Sequence, residues 1–174
     1  RGQLRAHLRR VLKEAGRTAV LVTHDQDEAF EIADRVGVLN GGRLEQVGTP
    51  EEIYRRPATR FVAGFVGTAD FVRGIVQPEG IATPLGLLPD TCGFPPGTAV
   101  DVLVRPEDIA VAPDPRGAAT VTGRLFLGAD KIHELSLDGV RLSSNQHCIP
   151  PLALGTAVRV RVLPAPVVAF PAGD

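Results

Sequence analysis

The sequence has no methionine, no tryptophan, two cysteines and only 5% aromatic residues among its 174. Each shortage excludes something. Cys92 and Cys148 lie far apart, with no CxxC or Cys/His ligand spacing, so neither a disulfide framework nor a zinc site is encoded and both read as ordinary thiols. Sparse aromatics leave little for base stacking, and a formal net charge of −1 removes bulk attraction to nucleic acid. No apolar run reaches the roughly 20 residues a bilayer-crossing helix needs, and Arg1-Gly2-Gln3-Leu4-Arg5 does not have the form of a signal peptide. A soluble, cytoplasmic protein is expected. A sequence that begins at arginine and lacks methionine also reads as an excerpt of a longer chain.

Proline is scarce in only one part. Of 15 prolines, two (Pro50 and Pro57) lie in residues 1–66 and the other 13 in residues 67–174, so the second part is not expected to be helical. The first part alternates helix and strand signals. Leu4, Leu8, Val11, Leu12 and Ala15 share one face of a helix that stops at Gly16, and that face needs a partner. The apolar run at 18–23 predicts a strand buried on both faces, as in a parallel sheet covered by helices. Asp25 followed by Glu28 has the form of a capping box. Asn40-Gly41-Gly42 marks a hairpin turn, and Thr49-Pro50-Glu51-Glu52 opens a helix that ends before Pro57. The second part predicts strands at 98–104, 109–112, 119–127, 132–137, 140–143 and 157–163, separated by Gly/Pro/Asp turns such as Pro95-Pro96-Gly97 and Asp138-Gly139. Short strands at this spacing point to a small barrel or sandwich.

Few residues are placed for chemistry. His24 follows the predicted strand and precedes the capped helix, where open α/β sheets gather ligands; it either projects into a site or bonds its own loop. Asp25, Asp27 and Glu28 read as helix-start carboxylates favoured by the macrodipole. The cations Arg1, Arg5, Arg9, Arg10, Lys13 and Arg17 read as a solvated polar face rather than a nucleic-acid surface. Arg105 and Glu107 are candidates for binding an anion or partner, but the expected arrangement has a carboxylate holding Arg105 at a strand end while Pro106 fixes the turn. His133 and His147 are isolated, so no metal site is expected.

Several segments carry a resemblance. Ala19-Val20-Leu21-Val22-Thr23-His24-Asp25-Gln26-Asp27-Glu28-Ala29, then Ala33-Asp34-Arg35-Val36-Gly37-Val38-Leu39-Asn40-Gly41-Gly42-Arg43, Gln46-Val47-Gly48-Thr49-Pro50-Glu51-Glu52-Ile53-Tyr54 and Phe61-Val62-Ala63-Gly64-Phe65-Val66-Gly67 together resemble the end of an ABC-transporter ATPase subunit. The similarity is to the importer branch that includes maltose, polyamine and ferric-iron systems. The second part resembles the TOBE regulatory domain of these subunits, OB-like in fold, through Val104-Arg105-Pro106-Glu107-Asp108-Ile109, Gly123-Arg124-Leu125-Phe126-Leu127-Gly128 and Val167-Val168-Ala169-Phe170-Pro171. After Leu127-Gly128 the family often has an aromatic residue, whereas this sequence has Ala129-Asp130-Lys131-Ile132-His133.

The resemblance implies an α/β remnant, the C-terminal portion of a P-loop ATPase domain at 1–66, followed at 67–174 by an all-β, OB-like small barrel. It also implies that His24 is the H-loop histidine, contacting the γ-phosphate of ATP in the full-length parent. No Gly-x-x-x-x-Gly-Lys-[Ser/Thr] phosphate loop, no Asp-Glu-terminated Walker B strand and no signature sequence occur, so this stretch alone is expected to be inactive. The implied parent uses ATP and Mg, forms a homodimer and joins membrane permease subunits and a solute-binding protein. It would be cytoplasmic, peripheral on the inner face of the membrane. The competing reading is a non-enzymatic small-ligand or oxyanion-binding β-barrel, with OB-type nucleic-acid binding disfavoured by the scarcity of aromatics. The segment Phe65-Val66-Gly67-Thr68-Ala69-Asp70-Phe71 leans toward the iron and polyamine branches.

Overall fold

The computed structural model describes residues 2–89, 92–127, 130–145 and 151–173. Contacts divide the chain into two units, Arg1–Gly67 and Thr68–Asp174.

In the first unit, helix α1 (Gly2–Glu14) closes on Gly16, whose φ of 58° is the left-handed conformation that glycine adopts at helix ends. Its leucine face finds no cover in the unit: Leu4 is 73% exposed, and Leu8 and Val11 are also exposed. The polar face is the one that docks. Arg5 meets Glu31 on α2 (Gln26–Ile32), and Arg9 and Lys13, each one turn further on, reach Asp34 just beyond the end of that helix. Arg5 is largely covered, while Lys13 stays solvated as the sequence pattern implied. Arg5 Nε lies 3.3 Å from Glu31. Arg9 Nη1 donates to the carbonyl oxygens of Ile32 (2.7 Å) and Ala33 (3.1 Å) at the end of α2, where a helix presents unpaired acceptors and negative partial charge. Arg9 and Lys13 both reach Asp34, and the hydrogen bond from Lys13 is the main reason its carboxyl is held below the usual range.

Residues 18–23 do not form the predicted buried strand. They run without ladder partners, and Val20 and Val22 are 90% and 89% exposed. A strand buried on both faces needs strands beside it, and among the described residues none pairs with this segment. The hairpin does form: β1 (Val36–Asn40) and β2 (Arg43–Gly48) pair antiparallel across Gly41 and Gly42, both at positive φ. Helix α3 (Pro50–Arg55) has the complete capping box, with Glu52 N–H donating to Thr49 Oγ1 and Thr49 N–H donating to Glu52 Oε2. A fourth helix, α4 (Arg60–Phe65), is capped by Thr59. Val38, Ile53, Val62 and Val66 make a small core with Phe30, Val36 and Tyr54 against it.

The second unit is all β. Its strands are β3 (Asp70–Gln77), β4 (Gly80–Thr83), β5 (Gly86–Leu88), β6 (Ala99–Val104), β7 (Ile109–Pro113), β8 (Ala119–Leu127), β9 (Asp130–Leu137), β10 (Val140–Asn145), β11 (Ala157–Val162) and β12 (Val168–Pro171). They form two antiparallel five-stranded sheets, ordered β12-β6-β3-β4-β5 and β10-β9-β8-β11-β7. Both sheets feed one core, including Val72, Val100, Val102, Ile109, Leu135 and Val158. The second sheet curls so that its two outer strands meet, the hydroxyl of Ser144 on β10 donating to the carbonyl of Ile109 on β7 at 2.7 Å. Asp70 on β3 ties the first sheet to β10, accepting from Ser143 N–H at 2.6 Å. The result is a small barrel-like body, as the resemblance implied.

The expected turns are present. Thr98 N–H closes on the Pro95 carbonyl with Gly97 at φ 86°, and Asp138-Gly139 carries β9 into β10 with both residues at positive φ. Strands β3, β4, β5 and β12 had no sequence signal strong enough to mark them. In β3 the inward positions are Val72, Gly74 and Val76 while Ile75 faces out, which scrambles the apolar alternation. Gly74 has a packing reason: a Cβ there would lie 2.6 Å from the Ile81 side chain.

Candidate functional site

His24 sits at the middle of a short loop between the extended segment and α2, and its side chain is exposed. Its two sequence neighbours are tied down. The Thr23 hydroxyl donates to Glu28 Oε2 at 2.8 Å and accepts from Asp25 N–H at 3.0 Å. Asp25, the N-cap residue of α2, accepts from Glu28 N–H at 3.1 Å. The capping box expected at Asp25 and Glu28 is therefore half formed. Glu28 does not return to the Asp25 backbone, because the Thr23 hydroxyl takes its carboxylate and occupies the Asp25 amide itself.

Two further contacts brace this loop within the first unit. Arg5 Nη1 lies 3.8 Å from Asp25 and 3.9 Å from Asp27, placing a guanidinium from α1 against the start of α2. Gln26 donates its side-chain amide to the Phe65 carbonyl at the end of α4. A cavity of about 670 Å³, lined among others by Leu12, Val20, Val22, His24, Phe30 and Leu39, lies where the unpaired segment leaves the unit uncovered. The chemistry available is that of one exposed imidazole, able to donate or accept a hydrogen bond, on a backbone held on both sides.

The other candidates belong to the second unit. Arg105 is buried at the end of β6, where its Nη1 donates to the Thr68 carbonyl at 2.8 Å, a backbone partner the carboxylate arrangement did not include; Pro106 opens a 3₁₀ turn, Pro106–Asp108. His133 faces inward and is 1% exposed. Its Nε2 accepts from Leu152 N–H at 3.2 Å, while Nδ1 is buried with no hydrogen-bond partner among the described residues. Burial first, then the positive charges of Arg124 and Lys131, hold its pKa below the usual histidine value. Cys92 is half-buried and its Sγ donates to the Val167 carbonyl at 3.4 Å, and Gly128, Ala129, His147 and Cys148 lie outside the described residues. Among the described residues no three His, Cys, Asp or Glu side chains gather as a metal site, and no helix is long and apolar enough to cross a membrane.

The residues that sequence reading missed are Thr23 and Gln26. A hydroxyl two residues before an N-cap Asp and five before a Glu is the available signal, hidden because Thr23 also closes the apolar run that reads as a strand.

Comparison with known proteins adds two findings. Residues 102–170 match the TOBE domain. Over nearly its whole length the chain is similar to import ATP-binding proteins. It is 40% identical to an sn-glycerol-3-phosphate import ATP-binding protein of Rhizobium johnstonii, covering 91% of this chain and 43% of the relative. It is 38% identical to a spermidine/putrescine import ATP-binding protein of Borreliella afzelii (79% and 40%). To an Fe(3+) ions import ATP-binding protein of Streptomyces coelicolor it is 41% identical (80% and 40%). The chain thus spans about two fifths of the length of these relatives.

Proposed function

The chain is a relative of the ATP-binding subunits of ABC import systems and carries their TOBE domain, and from that premise we propose that it is the C-terminal, regulatory part of a subunit that powers solute import by binding and hydrolysing ATP. In that reading residues 1–66 complete a nucleotide-binding domain and residues 67–174 form the regulatory domain.

The residues in hand supply one contact of a nucleotide site and do not fit ATP and Mg by themselves. The carboxylates flanking His24 are engaged locally, Asp25 by the Glu28 amide and Glu28 by Thr23. The sequence has no phosphate loop to cradle a triphosphate. The remaining site residues belong to the rest of the full-length subunit. His24 is the contact: an exposed imidazole N–H, donated to a γ-phosphoryl oxygen, stabilises charge that grows there as the bond breaks.

The observation that carries this reading is the exposure of His24 between two residues whose side chains are held in local hydrogen bonds. In the full-length subunit, His24→Ala should lower turnover roughly 10²-fold, the scale expected for loss of a transition-state donor, with ATP affinity little changed. Equal losses in affinity and turnover would assign His24 to structure instead.

As partners we propose membrane permease subunits, a solute-binding protein and a second copy of the subunit, with the assembly on the cytoplasmic face of the membrane. The names of relatives at similar identity carry three different solutes, glycerol phosphate, polyamines and ferric iron. That spread argues that solute choice lies outside this part of the subunit.

A further inference from the structure

We propose that Thr23 and Glu28 are positioning residues that aim His24, an inference that rests on the reading of His24 as the γ-phosphate contact. An exposed histidine on a loop has little to fix it, whereas a donor to a developing charge must already be in place when the charge forms. Around His24 the fixing is done by a ring of three hydrogen bonds. Thr23 O–H donates to Glu28 at 2.8 Å, Asp25 N–H donates to Thr23 Oγ1 at 3.0 Å, and Glu28 N–H donates to Asp25 Oδ1 at 3.1 Å. The ring closes across His24 without using it. Its backbone is pinned on both sides and its imidazole is left for a ligand.

The chemistry of the ring restricts its members. Position 23 must both donate and accept through one atom, which a hydroxyl does and a methyl cannot. Position 28 must accept from that hydroxyl, which a carboxylate or an amide oxygen can do. Thr23→Val keeps the shape and breaks two bonds; Thr23→Ser and Glu28→Gln keep the bonds. A purely packing role for these residues would give the opposite ordering, with Val tolerated and Ser penalised.

The test uses the full-length subunit, with ATP turnover, ATP affinity by calorimetry, and trapping of added ADP by orthovanadate as a readout that needs no hydrolysis. Thr23→Val and Glu28→Ala should each lower turnover and vanadate trapping roughly tenfold while ATP affinity stays within about twofold, the pattern of a displaced rather than a lost donor. Thr23→Ser and Glu28→Gln should restore both readouts. In a His24→Ala background Thr23→Val should cost nothing further, because its effect passes through the imidazole. A full additional loss in that background, or failure of Thr23→Ser to restore trapping, overturns the positioning role while leaving that of His24 intact. A His24→Ala subunit with unchanged turnover overturns the underlying reading instead.

Discussion

Val22 and Val102 are the same side chain in two opposite situations, one 89% exposed and the other 1%. Each lies in an apolar, β-branched stretch, Val20-Leu21-Val22 in the first unit and Val100-Asp101-Val102-Leu103-Val104 in the second. By propensity the first is the better strand, since the second carries a charge at its centre. The outcome is reversed because β6 has β3 on one side and β12 on the other, whereas residues 20–22 have no strand beside them among the described residues. Strand propensity describes fit to a pleated, covered surface, and it is void where no such surface exists. Even Asp101 is accommodated: Arg73, directly opposite in the ladder, places its Nε 2.8 Å away, and Gly173 N–H reaches the other carboxylate oxygen at 3.3 Å.

The contrast is broken most decisively by cutting the chain. Residues 67–174, with two sheets on a shared core, should stay soluble and unfold in one cooperative transition. Residues 1–66, with Leu4, Val20 and Val22 exposed over a small core, should aggregate or show no cooperative transition. Thermal melts of the two pieces followed by circular dichroism decide it. A sharper form compares two fully buried isoleucines. Ile109→Ala should cost the second unit about 2–5 kcal/mol, the range for a truncated core side chain, whereas Ile53→Ala should leave the melting of the second unit unchanged. A shift there on truncating Ile53 would show that the two units unfold together.

Two pH effects of smaller size belong to the second unit. His133 titrates below its ordinary 6.5 in the folded state because burial penalises its charged form. Between that depressed value and 6.5 the unfolded chain binds more protons than the folded one. Stability is therefore fully present above pH 6.5 and is lost as pH falls through the folded pKa. His133→Gln, which keeps an acceptor for Leu152 N–H, should flatten that acid limb in denaturant titrations. Asp70 works in the other direction. Burial raises its carboxyl above 3.8 against the opposing pull of Ser143, so its contribution is present below pH 3.8 and is lost as pH rises through the folded value. Asp70→Asn, still able to accept from Ser143 N–H, should match the native protein in acid and exceed it slightly at pH 7.

How much of this was legible in the sequence follows the same divide. Turns were readable because their chemistry is local: Gly41, Gly42, Gly97 and Gly139 occupy positive φ whatever surrounds them. The Thr49 cap and the strand at 119–127 were readable for similar reasons. Residues 18–23 were misread because a buried parallel strand depends on neighbours that a pattern cannot guarantee. The pairing of Arg5 with Glu31 and of Arg9 with Asp34 was not legible because nothing in a helical pattern says which carboxylates a cationic face will meet. His24 was found through its position between two elements and through family resemblance. The roles of Thr23 and Glu28 needed coordinates, since only geometry shows which acceptor a hydroxyl selects.

In the proposed function, residues 1–66 contribute a single histidine, His24, to a nucleotide site completed by other parts of the subunit. Calorimetric titration of the purified 174-residue chain with ATP and Mg²⁺, alongside the full-length subunit, tests it most directly. Saturable binding by the full-length subunit and none by this chain is the predicted result. Saturable, magnesium-dependent binding of ATP to the chain alone would contradict it.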